Sequence, residues 1–150
     1  MKLYLVNGSP NCRKVEAVVN HLGLKPEIIR KDFFSGELKK EDYLAINPNG
    51  RVPALEDGDF KLWESEAINL YICNSTPGQT LFPEDMKARA HILQWTLWSV
   101  THFNRAIGGI AWEVIIKPHF MQQEPDMHSV ELNKGFLDMF APVLDKHLEG

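Results

Sequence analysis

Two short stretches carry residue types that could act on a ligand. The first is Ser9-Pro10-Asn11-Cys12, a hydroxyl and a thiol three positions apart at the start of a helix. In a Cys-x-x-Cys redox site the first position would supply the attacking thiolate at a helix N-terminus. Here that position is a serine, which needs an adjacent base to become a nucleophile, and none stands beside it. A serine can instead donate a hydrogen bond to a ligand's thiolate. Bringing a thiol from about 8.5 to about 6.5 takes roughly 2.7 kcal/mol of preference for the anion. A hydrogen bond to a charged group contributes about 1.5–3 kcal/mol, and a helix N-terminus adds about 0.3–1 kcal/mol. Together they suffice without a general base. The plain alternative is that Ser9 only caps its helix.

The second stretch is Glu64-Ser65. Ser65 sits where a helix N-cap belongs, with Glu66 in the first turn and Ile68, Leu70, Tyr71 and Ile72 behind it. Free N–H groups and the dipole at such an end favour a ligand carboxylate, and Glu64 could hold an ammonium beside it. An amine and a carboxylate together suit the end of an α-amino acid. The alternative is an ordinary capped helix behind a surface hairpin.

The elements that must position these groups can be read from pattern. Lys2 to Asn7 is a short apolar run, expected as a buried strand. A helix follows, with Ser9 as cap, Pro10 at its first position and Val15, Val18, Val19 and Leu22 at helical spacing; Gly23 and Pro26 stop it. Ile28-Ile29 marks a second strand, so the pair is parallel with a right-handed crossover. A further helix is expected over 37–46, ended by Asn47-Pro48. Pro53 opens a strand, where proline costs no ladder bond. A cis Val52-Pro53 bond would turn the Val52 backbone outward as a peptide clamp. Asp57-Gly58 is expected as the two-residue turn of a hairpin. The order is β-α-β-α-β-β-α.

Beyond Ser75-Thr76-Pro77-Gly78 the pattern changes. One helical region is expected over 84–117, with Ala90, Leu93, Leu97, Val100 and Trp112 among its apolar positions, a bend at Gly108-Gly109 and an end at Pro118. Another runs from Glu124 to Leu148, with Pro142 expected to kink or interrupt it. Two long amphipathic helices leave an apolar face uncovered. We therefore expect a fragment of a longer chain, or one completed by a partner subunit.

Composition narrows the function classes. The 150 residues are 44% hydrophobic and 24% charged, as in a soluble globular protein. Sixteen basic against 20 acidic residues, net −4, argue against nucleic acid as the main partner. No apolar run is long enough to span a membrane, and the first residues lack the features of a signal peptide. Two cysteines are too few for a disulfide scaffold, so a cytoplasmic location is expected. His21, His91, His102, His119, His128 and His147 show no metal-ligand spacing, and no metal is expected.

Three motifs in order, Gly8-Ser9-Pro10-Asn11-Cys12-Arg13-Lys14-Val15, Asn47-Pro48-Asn49-Gly50-Arg51-Val52-Pro53-Ala54-Leu55 and Glu64-Ser65-Glu66-Ala67-Ile68, resemble the soluble glutathione S-transferases. The likeness extends through Ala88-Arg89-Ala90 and Gln94-Trp95. The active-site segment is most similar to the serine-type classes (delta, theta and phi-like), here as a bacterial member. The resemblance implies a thioredoxin-like domain over 1–76, a linker over 77–84 and a partial all-helical domain over 85–150, truncated relative to the family. It implies that Ser9 hydrogen-bonds the sulfur of glutathione and favours its thiolate. Val52 would pair with the cysteinyl backbone, with Pro53 in cis. Glu64 and Ser65 would hold the γ-glutamyl amine and carboxylate. Lys39 or Lys40, with Arg51, would lie near the glycine carboxylate. Trp98, His102 and Arg105 are candidates for the wall facing a small hydrophobic electrophile. Glutathione would be a co-substrate, with no permanent cofactor, in a homodimeric cytoplasmic enzyme of detoxification. Gly50 departs from the delta pattern, where a histidine reaches glutathione, and Arg51 is the expected replacement. The resemblance makes Cys12 a buried residue. Two alternatives remain: a glutathione-dependent thiol reductase or peroxidase using Cys12, and a non-catalytic transferase-like binding module.

Overall fold

A computed structural model describes residues 1–149. They form two compact units, Met1–Asp85 and a second from Met86 onward. The first holds β1 (Lys2–Leu5), α1 (Pro10–His21), β2 (Glu27–Arg30), a 3₁₀ turn (Glu37–Lys39), α2 (Glu41–Leu44), β3 (Ala54–Asp57), β4 (Phe60–Trp63) and α3 (Ser65–Asn74). The strand order is β2-β1-β3-β4, with β1 parallel to β2 and antiparallel to β3, and β4 antiparallel to β3. This is the thioredoxin-like α/β fold, followed by a helical unit. Strand alternation sets the layers. Leu3, Leu5 and Leu55 pack with Cys12, Val15 and Val19 of α1 and Ile68 and Ile72 of α3. Tyr4 and Ala54 join Leu38 and Tyr43 in a second cluster.

Three expectations in this unit need correction. The helix over 37–46 is divided at Lys40, whose backbone is extended (φ −73°, ψ 152°). Leu38 and Tyr43 are both buried in one cluster. On a continuous helix their five-residue spacing would put them about 140° apart, so the break lets both face the core. The hairpin turn is Gly58-Asp59 rather than Asp57-Gly58, because Asp57 pairs with Phe60 in the ladder. Asp57 also meets the N-terminal ammonium at 3.3 Å and accepts from the Tyr71 hydroxyl at 2.8 Å, partners it would lose as a turn residue. Ser65 is the first residue of α3 and not its cap; Glu64 caps it through the backbone alone.

The second unit holds α4 (Met86–Trp98), a π-helical turn (Ser99–Phe103), α5 (Asn104–Ala111), a π-helical stretch (Trp112–Met121) and α6 (Met127–Leu148). The expected bend at Gly108-Gly109 is replaced by these two widened segments. In the first, the Thr101 hydroxyl bonds the Leu97 carbonyl and competes with the helical ladder. Gly109 serves close packing: a Cβ there would lie 2.6 Å from the Asn133 amide of α6. Pro118 does not end the helix. It lies inside the widened stretch, which continues to Met121 and stops at Gln122 in the left-handed conformation; a wider turn relieves the proline ring's clash with the preceding carbonyl. Pro142 likewise lies within α6 without interrupting it. Asp126 caps α6, accepting from the N–H groups of His128 and Ser129.

Candidate functional site

The loop 47–51 is built around Asn47, which is 3% exposed. Its Oδ1 accepts from the Asn49 N–H and Nδ2, both at 3.0 Å, and its Nδ2 donates to the Arg51 carbonyl at 2.7 Å. The Tyr43 hydroxyl donates to the same carbonyl at 2.7 Å. Burial, with Cys12 and Tyr4 as lesser causes, pushes the Tyr43 phenol above its ordinary range, so it keeps its proton and remains a donor. Gly50 sits at φ +59°, and a Cβ there would meet the Leu38 carbonyl oxygen at 2.7 Å and the Lys39 Nζ at 2.8 Å. The position thus requires glycine twice over, by conformation and by space. A histidine, as in the delta pattern, does not fit this loop.

From this loop the chain passes through a cis Val52-Pro53 bond, as the sequence led us to expect, into β3. After β4 it turns at Glu64 (φ 75°, ψ 119°) into α3. That backbone region is rarely occupied by a residue with a side chain and costs on the order of 1–3 kcal/mol, a cost that concentrates at ligand sites. It frees Ser65 from capping.

Asn11, Asn47, Asn49, Arg51, Val52, Pro53, Glu64 and Ser65 line one polar cavity of about 360 Å³. Five expected site residues therefore converge: Arg51, Val52, Pro53, Glu64 and Ser65. Ser65 is 5% exposed, and its hydroxyl finds no hydrogen-bond partner among the described residues. The Glu64 carboxylate and Arg51 guanidinium are exposed and form no ion pair among those residues. A buried hydroxyl at a helix N-terminus, a free anion and a free cation suit a ligand carrying both charges.

The other expected residues are placed differently. Ser9 caps α1, and its Oγ accepts from the Cys12 N–H at 3.4 Å. It is not among the cavity walls, although Asn11, two residues on, is. Lys39 donates to the Asn49 carbonyl at 3.2 Å and so supports the loop from behind. Lys40 is exposed, precedes α2 and does not line the cavity. Trp98 lines an aromatic cavity of about 690 Å³ within the helical unit, whose walls include Trp95, Phe103 and His147. His102 packs on Phe140 at 4.7 Å between ring centres, Arg105 is exposed, and neither lines that cavity.

Cys12 is fully buried in the core, and its Sγ accepts from the Val6 N–H at 3.4 Å. A thiol so placed cannot reach a disulfide substrate, which removes the reductase reading. Cys73 is buried as well, and burial pushes its thiol upward. Sequence reasoning missed Asn11, Asn47 and Asn49 as site residues. Asn47-Pro48-Asn49-Gly50 announced a turn, but nothing local marked Asn47 as a buried hub.

The model of the glutathione S-transferase N-terminal domain matches residues 1–74. A probable glutathione S-transferase from Oryza sativa subsp. japonica, GSTF2, is 38% identical over 99% of this chain and 69% of its own length. The chain belongs to the glutathione S-transferases. The solved structure of glutathione transferase F7 from Populus trichocarpa is similar with a TM-score of 0.90 and 30% identity, over 99% of this chain and 70% of that one. Glutathione transferase URE2P6 from Phanerochaete chrysosporium, solved in complex with oxidized glutathione, gives 0.86 and 32% over 99% and 67%. These relatives are from plants and a fungus and give no support to the expected bacterial origin. The protein is thus a transferase enzyme that conjugates glutathione, its co-substrate. No helix among the described residues is long and apolar enough to cross a membrane.

Proposed function

We propose that the polar cavity of the first unit holds reduced glutathione and that Ser9 keeps its sulfur as the thiolate. The observation that carries this reading is the convergence of Arg51, Val52, Glu64 and buried Ser65 on one cavity. Glu64 and Ser65 take the γ-glutamyl ammonium and carboxylate. Val52 pairs through its backbone with the cysteinyl residue beside Pro53. Arg51 answers the glycine carboxylate, with Lys39 holding the Asn49 carbonyl and Lys40 outside the first contacts. The fungal relative solved with oxidized glutathione supports this ligand.

Capping and catalysis are compatible at Ser9. A hydroxyl has one donor and two acceptor positions. Accepting from Cys12 leaves its O–H free to point at sulfur. The thiol releases its proton to solvent, and the sulfur lone pair forms the new bond to an electrophilic carbon of a small hydrophobic substrate, whose leaving group departs with its bonding pair or whose π bond opens and takes a proton from solvent. Trp98, His102 and Arg105 are the proposed electrophile contacts; Trp98, on an aromatic cavity, has the best physical case. The enzyme is serine-type and phi-like, in keeping with its plant F-type relatives. Residues 1–76 form the glutathione-binding domain, 77–84 the linker and 85–150 the helical domain. It acts in the cytoplasm as a homodimer, for which the exposed Leu132 and Met139 supply apolar surface.

The test is a pH titration of the thiolate absorbance of bound glutathione, on the unchanged chain and on Ser9→Ala. The unchanged chain should ionise the thiol well below its free value. The variant should lose most of that shift and about ten- to a hundredfold in kcat, the size of one hydrogen bond to a charged group, with little change in glutathione KM. Equal kcat in the two proteins removes Ser9 from the mechanism.

A further inference from the structure

We propose that Lys14 is a positioning residue for the ligand's γ-glutamyl carboxylate: it masks the charge of Glu66 at the N-terminus of α3. This deepens the reading above and rests on it. Ser65, on the cavity wall, is flanked in the chain by two carboxylates, Glu64 and Glu66. The ligand brings a third to the same helix end. Glu64 is answered by the ligand's own ammonium. Glu66 stands in the first turn of α3, where it draws on the same dipole and free N–H groups that the ligand's carboxylate needs. Its answer comes from α1, whose Lys14 Nζ donates to the Glu66 Oε1. The two side chains are 31% and 18% exposed, so solvent screens these charges only in part. The bridge is not needed to join the helices, because Cys12 and Val15 of α1 already share a buried core with Ile68 and Ile72 of α3. An ion pair still open to solvent also adds little to stability. What the pair does accomplish is to cancel a negative charge one residue from Ser65. Lys14 follows the wall residue Asn11 by three positions and so neighbours it on α1. Lys14 and Glu66 themselves are not among the wall residues, so the mask works from behind the cavity and occupies none of it.

Calorimetric titration with reduced glutathione tests this on the unchanged chain, Lys14→Met, Glu66→Gln and the two substitutions together. Lys14→Met bares the Glu66 charge and should raise Kd about five- to tenfold, the effect of one unit charge at about the distance of a helical turn in a partly screened site. Glu66→Gln should bind as tightly as the unchanged chain or more tightly, and the double variant should return to that affinity. Lys14→Arg keeps the charge and should match the unchanged chain. For an analogue of glutathione with hydrogen in place of the γ-glutamyl carboxylate, Lys14→Met should show no loss relative to the unchanged chain. A mechanical tether would instead weaken both single variants alike and leave the double variant weak. That result, or an unaltered Kd in Lys14→Met, overturns the inference and leaves the glutathione reading standing. An unchanged chain that takes up no glutathione overturns that reading and the inference with it.

Discussion

The two units treat their apolar residues in opposite ways. In the first, the sheet is flanked by two clusters that bury Leu3, Leu5, Leu55, Ile68 and Tyr43 almost completely. From Met86 onward, the buried residues among those described are Ala106, Val130 and Glu113, while Leu97 is 65% exposed and Met139 62%. The difference is geometric. A sheet presents side chains to both faces, and each face here has helices to receive them. Long helices with apolar residues around much of their circumference need more neighbours than α4, α5 and α6 provide one another. The polar cavity belongs wholly to the unit with the sealed core. Its geometry is therefore over-determined by packing, as a strained residue such as Glu64 requires. The helical unit offers surface that another chain or ligand can cover.

The comparison is broken most directly by truncating one leucine in each unit. Leu55→Ala should cost about 2–5 kcal/mol of stability, as for a fully buried leucine. Leu97→Ala should cost no more than about 0.5 kcal/mol, as at a surface position. Denaturant unfolding of the two variants decides; equal losses would mean that Leu97 is covered in solution. A smaller effect is expected at Gly50. Alanine there meets both a positive φ and the Leu38 carbonyl, a strain of about 1–3 kcal/mol. It should appear as weaker glutathione binding by calorimetry, and full affinity would show that the 47–51 loop does not set the site.

Within the helical unit the sharpest contrast concerns charge. Glu113 is buried, bonds Lys117 at 2.6 Å and accepts from the Asp126 N–H at 2.8 Å. Its pKa is held below the usual carboxylate value by the Lys117 hydrogen bond first and the Asp126 N–H second. A depressed folded-state pKa means that its contribution is complete above the unfolded value of about 4.3 and is lost as pH falls through the folded one. Acid titration followed by circular dichroism should show helix loss in that window, and Glu113→Gln should flatten it. An identical acid limb in the variant would place the sensitivity elsewhere. The smallest effect separates two adjacent glycines. Gly108→Ala adds a methyl into open space and should stabilise α5 by about 1 kcal/mol through helix propensity. Gly109→Ala must displace Asn133, whose Nδ2 donates to the Ser129 carbonyl, and should forfeit that gain. Equal melting temperatures would show that Asn133 moves freely.

Where sequence and structure agree, the governing signal is local. Ser9, Pro10 and Gly23 mark α1 because caps and stops act within a turn. Glu64 and Ser65 stand out in sequence as a carboxylate and a hydroxyl at one helix start, and both line the cavity. Their capping roles do not stand out, because the positive φ of Glu64 has no signature in a non-glycine residue. Asn47 escaped notice for a related reason. Its importance comes from burial and from the Arg51 carbonyl, which Tyr43 also reaches across the core cluster. The π-helical segments were illegible because their apolar pattern reads as an ordinary helix. Expecting Pro118 to end that helix assumed the ordinary register, which the chain leaves at Trp112.

Both thiols, Cys12 and Cys73, lie buried in the first unit, and the second has none. A thiol-reactive dye can therefore label the protein only when the sheet unit opens. Its labelling rate times that opening, while three of the four tryptophans (Trp95, Trp98 and Trp112) report on the helical unit. The chain thus comes with two separate clocks, one chemical and one optical, and the order in which its halves come apart can be read without adding a probe site.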